Sequence, residues 1–246
     1  KQTRFYGIGG YRHAIGGTLI KDYSNKNELF VKGTANYGFK NGDILSDGEI
    51  KYTYAPKKFA QLRIEGGSKY EMLTYMQNLA TLFSRGNFLK NKFIGFGHFF
   101  EITNGVFFDA KIRYMHRSSI TDIALSEWSE NLFDEDNKPI DFEEYKELNM
   151  KLMLSYTPFQ KFAIEQRKKV ILGSNWPTFK LGWEHGIPDV FQSKINYLKT
   201  LIGIDHNFKL GLLGNSKLNT WYGRYINANS VEYPNFTFFR GTDKYF

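Results

Sequence analysis

Cysteine is missing from all 246 residues, which rules out disulfide staples and thiolate metal sites and leaves the redox compartment open. Proline is scarce at six residues, and no Pro, Gly or Ser tract reads as a linker. No apolar run approaches the roughly 20 residues that a membrane-spanning helix needs. The opening KQTRFYGIGG lacks the basic, apolar and small-residue succession of a signal peptide, and the first residue is not Met, so the chain reads as a fragment or a processed product. Sequence self-similarity at a period of 20 to 50 residues is also lacking.

Aromatic residues are abundant instead: 23 Phe, 16 Tyr and 4 Trp, in a chain with no long helix to bury them. Tyr and Trp collect where a membrane meets water. The excess of 33 Lys and Arg over 25 Asp and Glu gives +8 and a pI near 9.3. That charge fits a nucleic-acid surface, a barrel lumen or anionic headgroups equally well. A mean hydropathy of −0.46 does not count against a membrane barrel, whose strands need apolar residues only at alternate positions.

Alternation is what the chain has most of. In GSNWPTFKLGWEHGIP, residues 173–188, Phe179, Leu181 and Trp183 fall on one side of a strand and Lys180, Gly182 and Glu184 on the other. Residues 28–40 repeat the pattern, as do 48–56 and 146–158, where Leu148, Met150, Leu152 and Leu154 oppose Glu147, Asn149 and Lys151. Around Asn104 and Gly105 the apolar sets on either side share a face if residue 102 pairs with 106 across a loop 103–105, with Gly105 left-handed. Connections then alternate, short at 104, long from 118 to 145, short again at 157–161. The long one carries ten acidic residues against two Lys between 118 and 147 and reads as a solvated external loop. Its EDNKP segment lacks the glycine and terminal glutamate of an EF-hand loop.

Two stretches break the pattern. Residues 72–83 show helical spacing and predict a short helix or plug-like insertion, while 164–172 place Gln166 and Lys168 where the phase wants apolar side chains, predicting a bulged or out-twisted strand.

The expected fold is therefore all-β: an antiparallel up-and-down transmembrane β-barrel, or a large part of one, over residues 1–246. It would hold roughly a dozen strands at about 10 residues each. Outward, toward lipid, the phase places Phe108, Ile112, Leu148, Met150, Leu152, Leu154, Leu181 and Trp183. Inward, toward a lumen, it places Lys51, Arg63, Glu65, Glu101, Asp109, Lys111, Arg113, Lys151, Lys180 and Glu184. Those charges either pair with one another and hold the wall, the commoner arrangement, or line a route for a solute or peptide. A soluble β-sandwich binding module would also alternate. Strand length, the mixed-charge polar faces and aromatic residues near strand ends favour the membrane.

No catalytic constellation stands out in the sequence. His13, His98, His116, His185 and His206 are scattered without HExxH, and Glu184 and His185 point to opposite faces of their strand. GIGGYRHAIGG lacks the GxGxxG frame, no GxSxG elbow occurs, and nothing selects a serine for a hydrolase. Aromatic residues recur on nearly every strand, more than a nucleic-acid stacking platform needs, so no nucleic-acid partner is expected. No cofactor and no metal is expected either.

Residues 99–122, 154–188 and 233–246 resemble the barrel of an uncharacterised Bacteroidota outer-membrane family whose full-length members carry an N-terminal carboxypeptidase-regulatory-like sandwich. The resemblance rests on Asn104, Gly105, Arg117, Gly173, Ser174, Pro177, Phe179, Pro234, Phe236 and Arg240, Gly241 and Asp243. It implies a bacterial outer-membrane location, lipid as partner and contact with other envelope proteins. The sandwich is missing here, and the family barrel continues past residue 246, so the chain reads as an interior piece of a longer protein. A transport or receptor role is implied by the sandwich. An envelope-assembly role is hinted at by the FRGTD stretch, which loosely resembles the internal-loop motif of insertase barrels.

Overall fold

The computed structural model describes residues 3–5, 11–72, 88–120, 142–166, 168–209, 211 and 214–236. Of the helix expected at 72–83 only Met72 is described, as the end of a strand, and the rest of it, most of the acidic loop, and Arg240, Gly241 and Asp243 lie outside them. Thirteen strands follow one another: β1 (Thr3–Phe5), β2 (Tyr11–Asp22), β3 (Glu28–Gly38), β4 (Asp43–Ala55), β5 (Ala60–Met72), β6 (Phe88–Thr103), β7 (Val106–Ser118), β8 (Tyr145–Tyr156), β9 (Lys161–Glu165), β10 (Lys168–Gly173), β11 (Thr178–Ile187), β12 (Asn196–Lys209) and β13 (Asn215–Ser230). Eleven of them form one antiparallel sheet in the order β1 to β8, then β11, β12 and β13, while β9 and β10 pair as a separate hairpin. Among the described residues no pairing joins β1 to β13.

Side chains alternate across a strand and register repeats them from strand to strand, so each face of the sheet is a lattice of rows. One row runs Leu19, Val31, Ile50, Ile64, Phe96, Ile112, Met150. Another runs Phe100, Phe108, Leu154, Leu181, Ile202, Tyr222. Ile15 is 74% exposed, Ile94 60% and Tyr222 64%. No second sheet covers this face among the described residues. A row of Gly17, Gly33, Gly48 and Gly66 interrupts it with bare backbone.

The opposite face is polar. Lys51, Arg63, Gly97, Lys111, Lys151 and Glu184 form one of its rows. Like charges directly opposite each other are destabilising, and here the relief comes from Glu184 within the row and, diagonally, from carboxylates one row away. The buried apolar clusters are small. They sit at the end of the sheet where 119–144 connect: Phe88 with Ile120, and Tyr145 with Ile195 and Tyr197.

Four expectations need correction. The turn after β6 pairs Thr103 with Val106, not 102 with 106; an irregularity between Glu101 and Thr103 takes up the extra residue, so that Glu101 meets Phe107 and Phe100 meets Phe108. Gly105 has φ +79, and a Cβ there would run into the Thr157 carbonyl, which leaves glycine alone suited to the position. Second, 157–161 is not a short turn to the next wall strand, because the whole of 157–177 is an excursion containing β9 and β10. Third, 164–172 is not one strand but the end of β9, a turn with Gln166 at φ +46, and β10. Polar residues where the phase wanted apolar ones mark that turn. Fourth, Leu148 lies on the apolar face by register yet is only 6% exposed. Segment 189–195 packs beside it, with Leu148 N–H donating to Ser193 Oγ at 3.1 Å.

Candidate functional site

The polar face holds the site, and glycines make it possible. Gly95 and Gly97 on β6 present no side chain, so residues of β5 reach over them to β7. Glu65 crosses Gly95 to accept from Arg113 Nε at 2.8 Å and Lys111 Nζ at 2.8 Å, and Arg63 crosses Gly97 to pair with Asp109. A Cβ at 95 would stand 3.1 Å from Glu65 Cγ, and one at 97 would stand 3.3 Å from Arg63 Nε. The spacing in FIGFGHFF is thus the local signal for a ladder spanning three strands.

All ten residues expected to face inward share this face by register. Besides the pairs above, Lys51 meets Glu49 at 3.0 Å, Lys151 meets Glu184 at 3.2 Å, and Lys180 pairs with Asp205. The tenth, Glu101, is paired from outside the sheet. The β9–β10 hairpin folds onto the polar face at its turn end and inserts Lys169, whose Nζ lies 2.6 Å from Glu101 Oε1, 3.0 Å from Asn104 Oδ1 and 4.1 Å from the Phe162 ring centroid. Lys168 beside it reaches Asp22 at 3.5 Å and Glu28 at 3.7 Å. A covering element therefore bridges β6–β7 and β2–β3.

Other residues of the family resemblance support the same excursion. Asn104 Nδ2 donates to the Gln160 carbonyl at 2.7 Å, Thr157 N–H donates to the Gly105 carbonyl at 2.8 Å, and Ser174 Oγ donates to the Pro158 carbonyl at 2.6 Å. Gly173 sits at φ +107, and Pro177 leads into Phe179, which is exposed on the apolar face. Arg117 belongs elsewhere, in an ion pair with Glu147 at 3.1 Å near the opposite end.

That opposite end contains a cavity of about 490 Å³, bordered by Glu71, Lys111, Arg113, Arg117, Glu147, Asn149, Lys151, Glu184 and Lys199 and closed over by Pro234, Asn235 and Phe236. The covering segment follows β13 and is tied by Asn235: its Nδ2 donates to Glu147 Oε2 at 3.0 Å, its Oδ1 accepts from Tyr145 Oη at 3.1 Å, and its carbonyl accepts from Tyr225 Oη at 2.8 Å. Beneath it Asn149 and Tyr197 both donate to Glu184 Oε1, at 3.2 and 2.9 Å. Among the described residues Arg117 Nε has no hydrogen-bond partner, and Glu147 Oε1 has no hydrogen bond beyond its ion pair with Arg117.

Several of these groups escaped the sequence reading. Lys169, Glu147, Asn235 and Tyr197 were not singled out as site residues. Arg12, with Asp43, was missed as well: it is fully buried and forks onto Asp43 at 2.7 and 3.1 Å, while Asn36 and Tyr70 complete the cluster. Partners 13 to 90 residues apart leave no local trace. The one usable signal is polar residues interrupting the apolar phase beside Lys169, as Gln166 and Lys168 do.

Comparison with known proteins adds one match. The model of the C-terminal domain of DUF5686, a family of unknown function, matches residues 1–246. No curated protein matches the chain.

Proposed function

Because the chain belongs to the DUF5686 family, as its C-terminal domain, we propose that it forms the non-enzymatic wall of a β-barrel in the bacterial outer membrane. The barrel is of the transport or receptor type, and in the full-length Bacteroidota protein it follows a carboxypeptidase-regulatory-like sandwich. The observation that carries this reading is the exposed apolar face. Burying one large aliphatic or aromatic side chain is worth about 1.5–3 kcal/mol, and a soluble sandwich would have spent a second sheet on rows of them. Hydrocarbon is the solvent in which such a face is stable, and strands of 10 to 16 residues, as in β2 to β8 and β11 to β13, are long enough to cross it at barrel tilt. Open sheet edges are not viable in lipid, so the wall closes with strand pairings beyond those described.

The polar face then lines the lumen. Ion pairs fill it, the hairpin covers one end and the Asn235 segment the other, which makes a gated barrel and not an open pore. The test is the full-length protein, expressed with its own leader and folded in detergent. We expect a heat-modifiable shift on gels and only small or transient conductance in planar bilayers. A detergent-free monomer without the shift would overturn the reading. Co-purification with barrel-assembly machinery, with no conductance at all, would favour the envelope-assembly role.

A further inference from the structure

Charges around the Asn235-covered cavity are unequally exposed. The carboxylates are recessed: the side chain of Glu147 is 0% exposed, Glu184 15% and Glu65 20%. Three of the cations stand forward, Lys151 at 58% exposed, Lys111 at 32% and Arg113 at 23%, while Arg117 and Lys199 are as recessed as the carboxylates.

The carboxylates are also occupied. Glu184 accepts from Lys151, Asn149 and Tyr197; Glu65 accepts from Lys111 and Arg113; Glu147 holds Arg117 and Asn235. An ammonium has three N–H donors and a guanidinium five, so Lys111, Lys151 and Arg113 keep donors after these pairings while the carboxylates have little accessible surface left. Lys111, Arg113, Arg117, Lys151 and Lys199 stand on the border against Glu71, Glu147 and Glu184, and with Glu65, which holds two of them from just behind it, the balance is five to four, a net +1.

We propose that this cavity binds a small soluble oxyanion, a solute bearing a carboxylate or phosphate group. Its donors come from β7 and β8, and the Asn235 segment is its lid. The volume of about 490 Å³ lies within the usual range for small-ligand sites, about 300–1,000 Å³. A lipid headgroup is the wrong source for the anion, since the cavity opens on the face opposite the exposed apolar side chains and an acyl chain would have to cross the wall to follow its headgroup in. The inference names a solute class for the transport or receptor reading and rests on it for access to the cavity.

The test is calorimetric titration of the full-length protein, folded in zwitterionic detergent at low salt, with inorganic pyrophosphate as probe and spermidine as the cationic control. Lys151→Gln removes the most exposed cation. Lys180→Gln removes a lysine of the same face that does not border the cavity. We expect pyrophosphate binding in the wild type and in Lys180→Gln, weakened about tenfold in Lys151→Gln, the size of one hydrogen bond to a charged group, and no spermidine binding.

Equal affinity in Lys151→Gln, tighter binding of spermidine, or no pyrophosphate binding by a protein that still shows its heat-modifiable shift would each overturn the site while leaving the barrel standing. Binding that depends on Lys151 in a protein without the shift would support the site and overturn the barrel instead.

Discussion

Replacing Lys169 by Met tests whether the β9–β10 hairpin is held on the polar face by one buried ion pair. Lys169 and Glu101 side chains are 6% and 3% exposed. Two unit charges about 4 Å apart attract by about 4 kcal/mol at an effective dielectric of about 20, and desolvation offsets much of that when the pair forms. Removing one partner is a different matter, because it strands the other charge, at a cost of about 3–5 kcal/mol. Glu101 would keep the Gly105 N–H at 3.1 Å and the Gln160 amide at 3.4 Å, which puts the expectation at the lower end, about 3 kcal/mol. That corresponds to roughly a 150-fold rise in the population of the lifted hairpin.

Hydrogen exchange of the full-length protein in detergent, read by mass spectrometry over residues 161–173, measures it directly. Protection there should fall in Lys169→Met while β6 and β7 stay protected. The double variant Glu101→Gln with Lys169→Met should recover at least half of the loss, since no charge remains stranded. Unchanged protection in the single variant, or a double variant no better than the single, would refute the claim that this pair anchors the hairpin.

Three further outcomes are expected. Leu152→Arg places a charge on the apolar face and should cost about 2–4 kcal/mol at mid-membrane, seen as lost insertion into vesicles, while Lys151→Leu on the other face inserts normally; equal tolerance of both would undo the assignment of faces. Gly105→Ala combines φ +79 with a clash against the Thr157 carbonyl and should lower the urea midpoint by an amount equivalent to about 1–3 kcal/mol. Trp183, 36% exposed on the apolar face, should be quenched by brominated lipid acyl chains; fluorescence indifferent to them would count against lipid contact.

Much of the wall was legible because alternation is a local property: Leu152 and Lys151 announce their opposite faces within two residues. The left-handed Gly105 was readable for the same reason, since Asn-Gly between apolar runs has few conformations open to it. What failed was punctuation. Thr157 to Lys161 looks like a turn and is one, but it leads into β9 and not into the next wall strand, and only the Lys169–Glu101 pair, 68 residues apart, shows where that excursion lands. The lid over the cavity was equally silent, because Asn235 finds Glu147 across 88 residues. Diagonal pairs such as Glu65 with Arg113 lay between these extremes; the glycines that permit them were visible, the partners were not.

The excursion between β8 and β11 also sets an order of assembly. Every other neighbour in the sheet is the next strand in the chain, and most of those pairings zip along by closing short or moderate loops; β8 must wait for β7 across 26 residues, and β11 reaches β8 across 21 that first hold a hairpin of their own, β9–β10. Loop-closure entropy grows only slowly with length, but contacts between distant residues slow a chain's arrival at its native state. The steps from β7 to β8 and from β8 to β11 are thus the natural pauses in building the sheet, and the Lys168 contacts to Asp22 and Glu28, 146 and 140 residues away, come after them, as the last bolt driven once the frame is up.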